Sequence, residues 1–326
     1  MLLNVIFSFN RALQLDYLIK SILDKFKIDD YEIVVLYHTT GQHKYGYDKL
    51  IEKYKDYKNI SFVERKEVWF DISYLRTFYS KENFRFFLRR NFFKKNGDNF
   101  KALLQKILRN SRHDWVMFNT DDGVFYDDVF FSEDIISLLS QNKENSSYRL
   151  YVGENLEGFP EYVEKKDNHY EWNYFTDEKI THWSYPFAVD GTIYHTQSLL
   201  KQLEKTVFHN PISLELKVCN YFIDNKLYKY GFSPLKSKLV CTKLNRVSTD
   251  SLNPTIHISP DFLNQKFLEG YLLEVEIPEN IDNANIVPDK VFIVKDNQKE
   301  NIYAIDDEGK IIQNSLGIEG AKIEIE

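Results

Sequence analysis

The alternation of apolar and polar residues in the first third of the chain predicts strands separated by helices. Residues 2–9 are an apolar run typical of a buried strand, and apolar residues recur at helical spacing between Leu13 and Leu23. Residues 31–37 form a second apolar run, about 30 residues after the first. This arrangement predicts a β–α–β unit with parallel strands and a right-handed crossover.

The same pattern continues to the middle of the chain. Residues 48–57 predict a helix and residues 60–63 a short strand. Helical spacing dominates residues 73–110, with a break at Asn96 and Gly97. Residues 115–118 are large and apolar, which indicates a central strand covered on both faces.

The second half of the chain predicts further helices and strands. We expect helices at 132–139, with Ser132 as N-cap, and at 198–205, 214–225 and 259–270. We expect strands at 148–153, at 185–194 with a bend at Asp190 and Gly191, and at 238–242. Glu215 would then lie in the first turn of its helix.

These elements predict an α/β fold, with a mixed, mainly parallel sheet flanked by helices. Beyond Pro288, short apolar runs at 291–294, 302–305 and 321–325 alternate with Asp, Asn and Gly turns. We therefore expect a large domain over residues 1–287, with a basic helical insertion at about 73–112. Residues 288–326 would form a small β-rich C-terminal appendage.

Composition and cysteine usage place the chain among globular proteins of a reducing compartment. Of its 326 residues, 43% are hydrophobic and 28% are charged. Cys219 and Cys241, its two cysteines, are too few for a disulfide framework or a zinc site and predict free buried thiols. With neither a basic leader nor 18 consecutive apolar residues, the sequence predicts a cytoplasmic protein.

Charge is distributed unevenly along the chain. The net charge of −7 argues against a nucleic-acid partner, but residues 85–112 contain nine Lys or Arg and a single acid, Asp98. Phenylalanines interleave with these cations from Phe84 onward. One interpretation is a peripheral contact of residues 84–112 with the anionic inner face of the cell membrane. The other is a solvated helix pair whose phenylalanines enter the core.

The end of the strand at 115–118 is the strongest candidate for chemistry. Asn119, Asp121 and Asp122 follow this strand, and ligands of open α/β sheets collect beyond the carboxyl ends of strands. Such oxygen ligands suit Mg²⁺ or Mn²⁺ that also binds substrate phosphates. An ordinary Asp-Asp-Gly turn is the alternative.

Two motifs in this order resemble those of known enzymes. Phe7-Ser8-Phe9-Asn10-Arg11 after the first strand, and Phe118-Asn119-Thr120-Asp121-Asp122-Gly123, resemble the opening and the D-x-D motif of family-two-type, GT-A-fold glycosyltransferases. Residues 186–191 resemble the family's acceptor-side segment, and residues 211–220 its base-bearing segment. The resemblance covers roughly residues 1–270. Asn119 replaces the usual first aspartate, and Tyr37-His38 stands where many members carry an acidic residue.

The resemblance implies a GT-A (Rossmann-like) fold and an inverting transfer from a nucleotide-diphosphate sugar, UDP- or GDP-linked, to a glycan or lipid-linked glycan. Such a reaction would serve synthesis of a bacterial-type surface polysaccharide. It implies a metal ion, Mn²⁺ or Mg²⁺, held by Asp121 and Asp122, with His257 completing the shell. The residues expected to contact the donor are Phe7, Ser8, Phe9, Asn10, Arg11, Tyr37, Arg76, Asn119 and Asp121.

Attack by an acceptor hydroxyl requires a general base, for which a carboxylate is suited. Glu215 is the first candidate and Asp190 the second. Alternatively, Glu215 only interacts favourably with the dipole of its helix, and Asp190 only forms a turn. His257 lies between two isoleucines and could instead be an ordinary strand residue. Arg11 and Arg76 could instead be surface cations.

Two other functions fit the same pattern. A nucleotidyltransferase acting on sugar phosphates could use the same acidic strand end, but would be expected to carry a Gly-rich turn after the first strand. A non-catalytic carbohydrate-binding protein could keep the fold without the chemistry. It predicts that Asp121→Ala and Asp122→Ala leave ligand affinity unchanged.

Overall fold

The computed structural model describes residues 1–77, 81–93, 97–176, 182–246, 255–305 and 311–314. Its strands are β1 Leu2–Phe9, β2 Tyr31–His38, β3 Ile60–Glu64, β4 Glu67–Val68, β5 Gly97–Asp98, β6 Trp115–Thr120, β7 Gly123–Phe125, β8 Ser146–Arg149, β9 Glu164–Lys165, β10 Tyr170–Asn173, β11 Thr192–His195, β12 Tyr230–Ser233, β13 Leu239–Thr242, β14 Leu272–Val275, β15 Asn285–Ile286, β16 Lys290–Lys295, β17 Gln298–Ile305 and β18 Ile311–Asn314. Its α-helices are α1 Ala12–Lys25, α2 His43–Tyr54, α3 Lys81–Leu88, α4 Phe100–Asn110, α5 Glu133–Gln141, α6 Thr196–Leu203, α7 Pro211–Asn225 and α8 Pro260–Leu268. A 3-10 helix spans Ile72–Thr77 and a π-helical turn spans Arg89–Phe93.

The central sheet confirms the predicted α/β class. Its nine strands run in the order β3-β2-β1-β6-β11-β8-β12-β10-β9. The half from β3 to β6 is wholly parallel, whereas β11 runs antiparallel to both β6 and β8. The carboxyl ends of β1, β2, β3 and β6 therefore lie at one edge, where the start of β11 meets them.

Two apolar cores cover the two faces of this sheet. Residues of α1, α2, α5 and α8 pack on one face, and residues of α4, α6 and α7 on the other. Alternate residues of each strand enter opposite cores: in β6, Met117 packs with the α1 core and Phe118 with the α4 core. This alternation decides which polar residues at the strand ends point toward the same side.

Strand 185–194 was predicted too long. Only Thr192–His195 forms a strand. At two of the preceding residues, the backbone amides donate hydrogen bonds to side chains and not to a neighbouring strand. The amide of Ala188 donates to Tyr194 Oη at 2.8 Å, and the amide of Val189 donates to Glu215 Oε1 at 3.1 Å. The bend at Gly191 is present, with φ of +55°.

Two other predicted boundaries shift. Helix α7 begins at Pro211, after Asn210 caps the amide of Ser213 at 2.7 Å, so Glu215 lies in the second turn and not the first. The strand expected at 148–153 is β8, four residues ending at Arg149. The strand expected at 321–325 lies outside the described residues.

The C-terminal strands build a second sheet in the order β14-β16-β17-β18. Strand β14 precedes Pro288 in the chain, and its residues Leu273 and Val275 share the α1 core with Val291 and Ile293. This sheet thus packs on the central domain; the division of the chain at residue 287 stays a prediction.

The basic segment is partly internal. Phe87 and Phe100 are buried, whereas Phe84 and Phe92 are exposed by 49% and 63%. Lys101 is fully buried, and its Nζ donates to the carbonyl of Thr206 at 2.7 Å. Among the described helices, none is both long and apolar enough to cross a bilayer.

Candidate active site

A cleft of about 610 Å³ lies at the carboxyl edge of the parallel strands. Its walls come from the last residues of β1, β2 and β6, from residues just after β1, β3, β6 and β13, and from residues just before β11. Asn210, the first two turns of α7 and Thr255 complete them. The lining residues are Phe7, Ser8, Phe9, Arg11, His38, Arg65, Thr120, Asp121, Asp122, Val189, Asp190, Asn210, Pro211, Ile212, Glu215, Lys243, Asn245, Arg246 and Thr255.

The turn after β1 directs Arg11 into this cleft. Asn10 adopts the left-handed conformation, with φ of 54°. Its side chain stabilises the turn by accepting from the amide of Thr40 at 2.9 Å and donating to the Thr40 hydroxyl at 2.8 Å. The chain can therefore leave β1 sharply and enter α1 with Arg11 facing the strand ends.

Asp121 is held by the same turn. Its Oδ2 accepts from Ser8 Oγ at 2.8 Å and from the amide of Phe9 at 3.0 Å, and its Oδ1 accepts from Arg11 Nη1 at 2.9 Å. Tyr47 Oη lies 2.5 Å from Ser8 Oγ and supports the arrangement from α2. Only 4% of Asp121 is exposed, so this carboxylate joins the ends of β1 and β6.

Two cations face the acidic strand end. Arg11 Nε donates to Asn245 Oδ1 at 2.8 Å, while Arg11 Nη1 lies 3.4 Å from Asp122 Oδ2. Lys243 Nζ lies 3.9 Å from the same Asp122 oxygen. Burial alone would raise the pKa of Asp122, but Lys243 and Arg11 outweigh burial and lower it. Asp122 therefore stays ionised between two positive charges.

Asp190 and Glu215 form a second acidic pair in the cleft. The antiparallel register sets Thr192 of β11 opposite Phe118 of β6, which brings Asp190 Oδ1 to 2.8 Å from the Thr120 hydroxyl that donates to it. Burial, and then the charge of Asp122, raise the pKa of Asp190. Burial and the nearby Asp190 raise the pKa of Glu215 to about 7.

Several predicted donor contacts point elsewhere because of strand alternation. Asn119 is fully buried on the α1 face of the sheet, where its Nδ2 donates to Asn4 Oδ1 at 2.7 Å. Tyr37 also faces that core and stacks on Tyr47 at 4.8 Å, while the next residue, His38, lines the cleft. The side chain of Arg76 lies outside the described residues.

The predicted metal site does not fit the described residues, in which no three His, Cys, Asp or Glu side chains group as a metal ion requires. Asp121 and Asp122 are already engaged by Arg11 and Lys243. His257 is exposed, with φ of 57°, and its Nδ1 lies 3.2 Å from the hydroxyl of Thr255. It does not line the cleft. Among the described residues, Asp121 and Asp122 are thus paired with cationic side chains.

Sequence reasoning did not assign a role to several residues of the cleft. Arg65 directly follows β3, and Lys243 follows β13, so a search for polar residues after every predicted strand would have found both. His38 could have been found from the two-residue period of β2. Asn245 and Arg246 carried no comparable signal, because neither directly follows a predicted strand.

No family model and no curated protein sequence matches the chain. Among solved structures, S. aureus TarS matches with 14% identity and a TM-score of 0.44, over 73% of this chain and 36% of TarS. TarS 1-349 in complex with UDP matches with 16% identity and a TM-score of 0.43, over 73% of this chain and 60% of that one. The apo structure of the bifunctional glycosyltransferase WbbM matches with 16% identity and a TM-score of 0.31, over 62% and 33% of the two chains.

The chain thus spans less than two thirds of the length of each of these solved structures. At these TM-scores the matches assign no activity to the chain, whose function has to be inferred from the cleft.

Proposed function

We propose that the chain is a glycosyltransferase that moves a sugar from a nucleoside-diphosphate donor to an acceptor hydroxyl. The observation that carries the proposal is the division of the cleft into two parts. Arg11 and Lys243 supply positive charge at the ends of β1 and β13, and Glu215, with a pKa of about 7, lines the same cleft from α7. A leaving diphosphate and an attacking hydroxyl need these two kinds of group.

The donor would bind with its diphosphate toward the cations. Arg11 is fixed by Asp121 and Asn245, so its guanidinium is already oriented before a ligand arrives. Phe9 and His38 line the same cleft and stack on each other with centroids 5.6 Å apart, and together they offer an aromatic surface on which one face of a nucleobase can stack. The nucleotide of the donor, UDP or GDP, is left to experiment.

In the proposed reaction the acceptor oxygen forms a bond to the anomeric carbon as the bond to the leaving phosphate oxygen breaks. The electron pair of the broken bond departs with the diphosphate, whose added charge Arg11 and Lys243 stabilise. The acceptor proton passes to Glu215, whose pKa lets it accept a proton near neutral pH. Attack opposite the leaving group would invert the anomeric carbon.

The other candidate base, Asp190, has a different place. Its Oδ1 already accepts from Thr120, and it lies next to the strand end that bears Asp122. In this proposal Asp190 acts as a positioning residue, because its charge adds to the effect of burial in raising the pKa of Glu215. No step of the proposal passes through the predicted Mn²⁺ or Mg²⁺.

Calorimetry with uridine, guanosine and thymidine diphosphates, with and without Mn²⁺, tests the proposal. We expect one nucleotide to bind the wild type, and Lys243→Ala to weaken that binding about tenfold or more. Lys236→Ala, an exposed lysine outside the cleft, is the matched control. Absence of binding by all three nucleotides would favour a carbohydrate-binding protein.

The acceptor in this proposal is a glycan or a lipid-linked glycan. Contact with a membrane would use the exposed aromatic side chains around the basic segment, among them Trp69, Phe70 and Phe92, exposed by 74%, 45% and 63%. Co-sedimentation with anionic vesicles tests this contact. Phe92→Ser should reduce binding, and Tyr57→Ser should not, because Tyr57 is an exposed tyrosine that follows α2 and lies outside the basic segment. Equal binding by both variants would contradict the contact.

A further inference from the structure

A second cavity, of about 410 Å³, adjoins the cleft. Arg65 and Asn210 line both cavities, so the two spaces share a wall. The second cavity is also lined by Arg89, Arg90 and His209, and Asp98 is the one carboxylate among the described residues of its wall. With three arginines and one aspartate, the wall of this cavity is positively charged, whereas the end of β6 in the cleft carries two aspartates.

Arg65 is the residue that connects the two spaces. It follows β3 directly and is only 8% exposed, with its guanidinium carbon 4.9 Å from the centre of the Phe100 ring. Its Nη2 pairs with Asp98, but its Nε is buried and has no hydrogen-bond partner among the described residues. A buried donor without a partner is energetically unfavourable.

Arg90 is built into the wall by a glycine. Its guanidinium packs so closely on Gly97 that a Cβ there would lie 2.1 Å from Arg90 Cζ. Arg90 is 4% exposed, and its Nη2 donates to the carbonyl of Asp98 at 2.9 Å. Arg89, in the same π-helical turn, is exposed. One arginine is therefore fixed in the wall and one is free to reach a ligand.

We propose that this second cavity binds an anionic group, a phosphate or a carboxylate, carried by the acceptor. The planar, forked guanidinium suits both kinds of oxyanion. Asn210 borders the cavity and caps α7, which carries Glu215 five positions later, about 7.5 Å along the helix axis. An acceptor anchored by its anion would thus present a neighbouring hydroxyl to Glu215. The proposal rests on the proposed function and adds the class of acceptor.

Titration of the full chain with glycerol phosphate and with glucuronate, each with and without saturating nucleoside diphosphate, tests the site. We expect at least one of these probes to bind whether or not the nucleotide is present, and Arg89→Gln to weaken that binding about tenfold. Arg85→Gln is the matched control, because Arg85 is exposed on α3 and does not line the cavity. Gly97→Ala, which displaces Arg90, should weaken the same binding in a chain whose circular dichroism is unchanged.

The outcomes separate the two proposals. Binding of glycerol phosphate alone assigns a phosphate-bearing acceptor, and binding of glucuronate alone assigns a carboxylate-bearing one. Competition with the nucleotide, equal weakening by Arg89→Gln and Arg85→Gln, or no binding of either probe overturns the anion site. Nucleotide affinity, measured on Lys243→Ala, tests the transferase proposal independently.

Discussion

Glu215 Oε1 accepts a hydrogen bond at 3.1 Å from the amide of Val189, the residue before Asp190. This bond ties α7 to the turn that carries Asp190 toward the end of β6. It also holds two partly buried carboxylates close together, and the charge of Asp190 adds to burial in raising the pKa of Glu215 to about 7. This one hydrogen bond thus fixes the position of Glu215, the candidate base, relative to Asp190.

The pH dependence of activity should report this contact. If Glu215 is the general base, kcat/KM should rise with pH up to about 7 and then level off, because only the ionised form accepts the acceptor proton. Glu215→Gln should lose about 10²- to 10⁴-fold in rate and lose this limb of the profile. Glu161→Gln, at an exposed site, serves as the control. A wild-type limb retained in Glu215→Gln would reassign the base.

The same carboxyl should affect stability with a defined sign. Its folded pKa of about 7 exceeds its usual value of 4.5, so the folded chain binds more protons between these pH values. The free energy of unfolding should therefore fall as pH rises from about 4.5 to 7, by up to about 3 kcal/mol. In urea titrations across this range, Glu215→Gln should flatten the fall. A variant curve parallel to the wild type would contradict the shift.

Arg11 should not be replaceable by lysine. Its guanidinium bonds Asp121 and Asn245 at once, through Nη1 and Nε, and an ammonium group cannot span both. We expect Arg11→Lys to weaken nucleoside-diphosphate binding about tenfold or more in calorimetry. Lys20→Arg, at a partly exposed position of α1, is the control for exchanging one cationic side chain for another outside the cleft, and it should leave nucleotide affinity unchanged. Full affinity in Arg11→Lys would argue against an oriented guanidinium.

Asn119→Asp should not restore a metal ligand. Asn119 is fully buried beside Asn4 on the α1 face of the sheet and does not line the cleft, so an aspartate there would be an unpaired buried charge. We expect a loss of about 2–4 kcal/mol in the free energy of unfolding and no gain in Mn²⁺ affinity. Asn168→Asp, at an exposed site, should change neither quantity. A gain in Mn²⁺ affinity would show that position 119 reaches the cleft.

Lys101 should give the opposite pH dependence to Glu215. Burial lowers its pKa to about 7, so the unfolded chain binds more protons between about pH 7 and 10.5. The free energy of unfolding should rise with pH across that range, and Lys101→Met should remove much of the rise. Lys106→Met, exposed on the same helix, should keep it. Denaturant unfolding at several pH values measures the slopes.

Local sequence was enough to predict the elements that frame the site. The apolar runs of β1, β2 and β6 and the helical spacing of α1 predicted these elements, because a strand buried on both faces needs apolar residues throughout. The turn at Arg11, the acidic end of β6 and Glu215 were likewise chosen from sequence, and the structure places all of them in one cleft. Their chemical roles stay predictions.

Only the tertiary structure decided which neighbours those residues have. Whether Asn119 or Thr120 faces the cleft depends on which face of the sheet α7 covers, and the two-residue period of a strand does not contain that information. Lys243 approaches Asp122 because β13 pairs with β7, a contact between segments more than a hundred residues apart. The sequence by itself determined the local elements and the polar residues at their ends; long-range pairing and packing placed cations where a metal ion was expected.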